Sequence, residues 1–222
     1  MVRLMSDPIA RILGSYPSGF FRQMLEAADA GFGEAWALAS RHAEEPERAN
    51  MLGQLRHSCC EAGFRRAARD NGLTVFAPHT KPAGGRYSLV EGGGVYLIRG
   101  NIQRHCGPPR PTSFRQQWAA VNAWLDPLQL DLLRSVTSPS DARLCGILVI
   151  SSHPRRSAAT IPAYVGLGIP NAELTDWVRL IAVTDLLALY HDADAAARTP
   201  GEAPVAIKDV AVPRLKKRPD AG

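Results

Sequence analysis

The sequence predicts an α+β fold in which N-terminal helices pack on a mixed β-sheet. Apolar residues at helical spacing dominate up to about residue 71, and short apolar runs typical of strands dominate after residue 73. Residues 86–100 read RYSLVEGGGVYLIRG, which predicts two short strands joined by a glycine turn. We place this hairpin near the centre of the sheet, with the rest of the chain packed around it.

Three helices are predicted before the sheet begins. Their apolar spacing covers residues 18–30, 34–42 and 44–71, with Gly31 and Gly33 as the break between the first two. That break leaves open a helix-turn-helix reader of DNA, whose recognition helix would be the second one. The expected buried stripe of the third helix consists of Met51, Leu52, Leu55, Cys59, Ala62 and Phe64.

Strand patterns fill most of the chain after the third helix. The predicted strands are residues 73–77, 87–90, 95–102, 145–150 and 163–169. One helix is predicted over residues 114–125, and another is expected to begin at Ala172, directly after Pro170 and Asn171. Residues 177–190 fit either one helix or a short strand followed by a helix.

The sequence divides into three parts. Residues 1–43 are an N-terminal helical segment, residues 44–197 form an α+β core domain, and residues 198–222 are a flexible basic tail. Within the core domain, residues 126–142 carry no clear periodicity and are interpreted as a linker.

Composition favours a cytoplasmic protein. The apolar run near the N-terminus is too short for a signal peptide, and no window holds the roughly 18 apolar residues of a membrane span. Cys59 and Cys60 are adjacent, and none of the four cysteines forms a Cys-x-x-Cys pair. We therefore expect reduced thiols, no metal site and no membrane partner.

Positive charge is concentrated in the middle of the chain. The formal balance is zero over residues 1–70, +6 over residues 71–172 and −1 over residues 173–222. This asymmetry is typical of a surface that binds a polyanion, although an ordinary solvated face in an arginine-rich chain is the alternative. The arginines expected to contact phosphate groups are Arg86, Arg99, Arg104, Arg110, Arg115, Arg155 and Arg156.

The order of elements from residue 44 onward is helix, three strands, helix and strand. Over about residues 45–150 this order resembles the core of the PD-(D/E)XK nuclease-like fold. The resemblance implies an aspartate on the first hairpin strand and an acid-x-lysine motif on the second, which together bind a divalent metal. Here Ser88 stands at the aspartate position, and Arg99-Gly100-Asn101 stands at the acid-x-lysine position. The resemblance therefore implies a nuclease-like domain with a degenerate motif.

These patterns favour a non-enzymatic protein that binds nucleic acid, DNA in particular, without a cofactor. One alternative is a module that docks another protein through the proline-rich residues 104–113 and the basic residues 152–160. A second alternative is a metal-dependent nuclease in which Glu61 and Glu91 hold Mg²⁺. Against that alternative, Glu61 is expected to face solvent beside Arg65, its neighbour one helical turn further on.

Overall fold

The computed structural model describes residues 7–79, 86–102, 107–125, 142–153 and 159–197. Within these ranges the chain forms an α+β fold with a mixed sheet, so the predicted fold class is confirmed. Part of the predicted linker, residues 126–141, lies outside the described residues. The expected tail, residues 198–222, does so as well.

The sheet has six strands whose spatial order follows the order of the chain. The strands are β1 (Thr74–Phe76), β2 (Leu89–Gly92), β3 (Val95–Ile102), β4 (Leu144–Ser152), β5 (Pro162–Pro170) and β6 (Trp177–Ala182). Strands β3 and β4 are parallel, whereas the other neighbouring pairs are antiparallel. The parallel pair requires a crossover, and the helix between β3 and β4 lies on that connection.

The helices lie on both faces of the sheet. They are α1 (Pro8–Ser15), α2 (Ser18–His42), α3 (Glu47–Asp70), α4 (Ser113–Ala119), a short 3-10 helix (Ala120–Leu125) and α5 (Val183–Ala197). Among the described residues, none of these helices combines the length and the apolar character needed to cross a membrane.

Two apolar clusters lie on opposite faces of the sheet. Phe20, Phe64 and Leu97 belong to the cluster between the sheet and α1, α2, α3 and α5. Ile98 and Ile147 belong to the other cluster, which α4 and the 3-10 helix cover. Because side chains alternate along a strand, neighbouring residues such as Leu97 and Ile98 point to different clusters.

The glycine hairpin forms as predicted. Gly93 and Gly94 have φ angles of 55° and 78°, a left-handed conformation that glycine adopts without strain. The Glu91 carboxylate accepts a hydrogen bond from the backbone N–H of Gly94 at 3.2 Å and so stabilises the turn. Gly92 pairs with Val95 across the turn.

The predicted break between the first two helices is wrong. Residues 18–42 form the single helix α2, and Gly31 lies inside it. A Cβ atom at Gly31 would lie 3.2 Å from Sγ of Cys60, so glycine there lets α2 and α3 pack closely. Since the chain has no turn at this point, the helix-turn-helix alternative lacks its geometry.

The helix expected to begin at Ala172 is also absent from the described structure. Asn171 instead closes a turn, because its side-chain oxygen accepts hydrogen bonds from the N–H groups of Thr175 and Asp176 at 2.9 and 3.1 Å. Of the two alternatives for residues 177–190, the strand followed by a helix is the one observed, as β6 and α5.

Candidate functional site

The guanidinium group of Arg99 is the centre of a buried polar cluster on the α3 side of the sheet. Arg99 is 1% exposed and follows Leu97 by two residues on β3. Both side chains therefore point to the face of the sheet that α3 covers. Its Nε donates to Oε1 of Glu61 at 2.9 Å, and one terminal nitrogen donates to Oδ1 of Asn101 at 2.7 Å. The other terminal nitrogen lies 2.7 Å from Nδ1 of His57. Every nitrogen of the guanidinium therefore has a partner.

Glu61 supplies the negative charge of this cluster. Its second carboxylate oxygen accepts a hydrogen bond from the backbone N–H of Ser88 at 3.0 Å and lies 3.9 Å from Arg65. The expectation that Glu61 faces solvent is therefore wrong, since it is only 3% exposed. The physical reason is its partner: a carboxylate can enter the interior when a guanidinium and a backbone N–H take over the hydrogen bonds of water.

The buried stripe of α3 differs from the predicted one for the same reason. Met51 is 37% exposed and Cys59 is half-buried, whereas Cys60 and Glu61 are buried. The residues of α3 that are buried are Leu52, Cys60, Glu61, Gly63, Phe64, Ala67 and Ala68. The sheet-facing side of the helix is thus apolar toward its C-terminal end and polar at Glu61, where it meets Arg99.

Tyr87 links the buried cluster to the surface. Its ring stacks on Phe114 with a centroid distance of 5.1 Å and meets the His57 ring edge-on at 5.9 Å. The guanidinium carbon of Arg115 lies 5.4 Å from the Tyr87 centroid, within cation–π range. On the neighbouring residue, the Ser88 hydroxyl accepts a hydrogen bond from Arg65 at 2.9 Å.

Burial and positive charge act together on the imidazole of His57. Desolvation lowers its pKa most, Arg99, Arg115 and Arg65 lower it further, and Glu61 opposes them. His57 is therefore neutral near pH 7, and its Nδ1 can accept the hydrogen bond from Arg99. Desolvation likewise lowers the pKa of Arg115, which means that its charge is poorly solvated.

The predicted phosphate-contacting arginines fall into three groups. Arg86 and Arg110 are exposed, and Arg115 is half-buried with one terminal nitrogen donating to the Arg110 carbonyl at 2.9 Å. Arg86 lies 2.7 Å from Nε2 of His79. The prediction that Arg99 contacts phosphate at the surface is wrong, because Arg99 is buried and bonded to Glu61. The remaining predicted arginines, Arg104, Arg155 and Arg156, lie outside the described residues.

The two acids of the nuclease alternative do not converge. Glu91 is held at the hairpin turn and pairs across the strands with Tyr96, which packs in the cluster under α4. Glu61 belongs to α3 and lies on the opposite face of the sheet, where it bonds Arg99. Across the described ranges, no group of three or more histidine, cysteine, aspartate or glutamate side chains is arranged to hold a metal ion.

The surfaces of the docking alternative are described only in part. Pro109, in the proline-rich segment, is buried, and its ring carbons lie 3.4 Å from the position of a Cβ atom at Gly100. This proline therefore packs against β3 instead of projecting from the surface. Most of the basic loop, residues 154–158, lies outside the described residues.

Sequence reasoning missed His57, Arg65 and Tyr87 as members of this site. His57, Glu61 and Arg65 follow each other at intervals of four residues, which places them on one face of a helix. That row of polar groups, next to the apolar Phe64, was the available signal. Tyr87 interleaves with the arginines in the sequence, which suggests stacking on bases, but its contacts with His57 and Phe114 depend on α3 and α4 meeting beside it.

No family model matches the chain, and neither a curated protein nor a solved structure gives a match.

Proposed function

We propose that this protein is a non-enzymatic, nucleic-acid-binding protein built on a degenerate PD-(D/E)XK nuclease-like domain. The topology supports the proposal: α3 precedes three antiparallel strands, and α4 then leads to β4, which is parallel to β3. This is the order of elements on which the resemblance was based. Ser88 and Arg99, at the two motif positions, are both within hydrogen-bond reach of Glu61.

The observation that carries the proposal is the ion pair between Arg99 and Glu61. A metal-dependent nuclease needs at least two carboxylates that converge on one cation. At this place in the fold, the permanently charged guanidinium of Arg99 forms an ion pair with the single carboxylate, that of Glu61. Ser88 contributes only a hydroxyl group. The pair therefore removes the carboxylate that a metal would need, while the nearby Arg65 and Arg115 supply positive charge for an anion.

A group of arginines surrounds residues 86–88 and forms the proposed phosphate-binding surface. Its members are Arg65, Arg86, Arg110 and Arg115. The hydrogen bond of Arg65 to Ser88 and the position of Arg115 over Tyr87 hold two of these side chains against residues that directly precede β2. Arginines placed in this way release condensed counterions when they bind phosphates, so the affinity should fall steeply as salt rises.

Fluorescence anisotropy with generic duplex and single-stranded DNA, at a low and a higher salt concentration, tests the proposal. We expect binding at low salt that weakens on salt addition. The double variant Arg86→Gln/Arg110→Gln should weaken binding, whereas Arg66→Gln/Arg69→Gln, which removes equal charge from the exposed face of α3, should change it little. Undetectable binding of the unaltered protein at low salt overturns the proposal.

The docking alternative gives a different result in a second experiment. A partner recovered by pull-down that persists after nuclease treatment of the lysate favours protein docking. A partner that disappears with the nucleic acid favours the proposed function.

A further inference from the structure

We propose that Arg65 and Arg115 form a subsite for the terminal phosphate monoester of a nucleic-acid strand, an inference that rests on the proposed function. A monoester differs from the internal phosphodiesters of a strand in its charge and in its three terminal oxygens. The geometry and charge of the cluster favour the monoester.

The cluster carries an excess of positive charge. Arg65, Arg99 and Arg115 lie around one carboxylate, that of Glu61, which pairs with the first two. Two positive charges are therefore left without a compensating acid within this cluster. An internal phosphodiester brings one negative charge, whereas a terminal phosphate brings about −1.5 to −2 near pH 7. The monoester is thus the better electrostatic match.

The guanidinium of Arg115 has unused hydrogen-bonding capacity within the described residues. Among the described residues, its Nε makes no hydrogen bond although it is shielded from water, and no carboxylate lies within ion-pair distance of its guanidinium. One terminal nitrogen donates to the Arg110 carbonyl at 2.9 Å, in exposed surroundings. A phosphate that displaces this carbonyl and turns the guanidinium can occupy both edges of the fork.

Arg65 is both anchored and accessible to a ligand. Arg65 remains 28% exposed while it bonds the buried hydroxyl of Ser88, so it can reach a ligand from a fixed position. Arg65 and Arg115 both lie close enough to the His57 imidazole to lower its pKa, so a terminal phosphate beside that ring can reach both arginines.

Three short single-stranded DNA oligonucleotides of one sequence test the inference, each with an internal fluorophore. One has a 5′-phosphate, one a 3′-phosphate and one hydroxyls at both ends. We expect either the 5′-phosphate or the 3′-phosphate form to bind at least about tenfold more tightly than the form with hydroxyls at both ends. Arg115→Gln and Arg65→Gln should each abolish this preference, and Arg66→Gln should keep it. If one of the first two variants fails to fold by circular dichroism, the other decides.

Each contrary result has its own meaning. Equal binding of the three oligonucleotides overturns the terminal-phosphate subsite and leaves the proposed function standing. Absence of binding to all three overturns the proposed function itself. Inorganic phosphate serves as the remaining arm: if it stabilises the unaltered protein but not Arg115→Gln in a thermal melt, while no phosphorylated end is preferred, the ligand is free phosphate and the inference is also overturned.

Discussion

Nε of Arg99 lies 2.9 Å from Oε1 of Glu61, and the two side chains are almost completely buried between β3 and α3. Removing both charges from water is costly, so this pair is weak evidence for high stability. It is strong evidence for mutual dependence, because either charge alone would be left in the interior without its counter-ion. The pair therefore couples the helix to the strand.

The destabilisation caused by losing both partners should be smaller than the sum of the two single losses. We expect Arg99→Met or Glu61→Gln to lower the free energy of unfolding by about 3–5 kcal/mol each, since each leaves a buried polar group without its partner. The double variant should lose clearly less than the sum. Urea denaturation measures all three, with Arg66→Gln as an exposed control expected within about 0.5 kcal/mol of the parent. Strict additivity would contradict the coupling.

His57 should make stability depend on pH in a defined direction. Its pKa in the folded protein lies below the ordinary value of 6.5, because burial and the nearby arginines oppose its charge. Below about pH 6.5 the unfolded chain takes up a proton that the folded protein resists, so the stabilising contribution is complete above that pH and is lost as the pH falls toward the folded pKa.

Thermal melts at about pH 7.5 and about pH 5.5 measure this effect as a difference in Tm. We expect the parent protein to lose more stability between the two conditions than His57→Asn, which has no imidazole to protonate. The nearby charged groups, Glu61, Arg65, Arg99 and Arg115, are present in both proteins, so the comparison isolates the histidine. Identical pH dependence in the two proteins would show that His57 is not the responsible group.

Two glycines of α3 should respond to alanine in opposite ways. A Cβ atom at Gly63 would lie 2.8 Å from Cβ of Ala27 on α2, whereas one at Gly53 would meet nothing within 4 Å. Gly63→Ala should therefore destabilise the protein by about 1–3 kcal/mol through overpacking. Gly53→Ala should stabilise it by about 0.5–1 kcal/mol, because alanine has the higher helix propensity. Chemical denaturation of the two variants checks the sign, and a stable Gly63→Ala would mean that α2 and α3 are less closely packed.

We expect no cleavage of plasmid or single-stranded DNA in the presence of Mg²⁺ or Mn²⁺. The physical reason is that the two carboxylates cannot converge on one metal ion. Glu61 is paired with Arg99, and Glu91 is held at the hairpin turn on the other face of the sheet. An agarose-gel assay with purified protein provides the measurement. Cutting that Glu61→Gln or Glu91→Gln abolishes, without unfolding the chain, would support the nuclease alternative and contradict the proposed function.

Local patterns predicted much of the fold because they depend on near neighbours. The glycine turn after Glu91 predicted the hairpin, and the apolar run of residues 145–150 predicted β4. The break at Gly31 failed because the low helix propensity of glycine is outweighed here by close packing between α2 and α3. The ambiguity over residues 177–190 was likewise resolved by pairing, since β6 forms against β5.

By itself the sequence determined the fold class, the hairpin and the concentration of arginine in the middle of the chain. It did not determine which of those charges are on the surface. That was decided by the tertiary structure, which places Glu61 of α3 opposite Arg99 of β3, residues 38 positions apart in the chain. Periodicity assigns a charged residue to solvent because burying one charge alone is unfavourable. A charged residue can be buried when a residue of opposite charge on another element lies next to it. That partner is visible only in the folded chain.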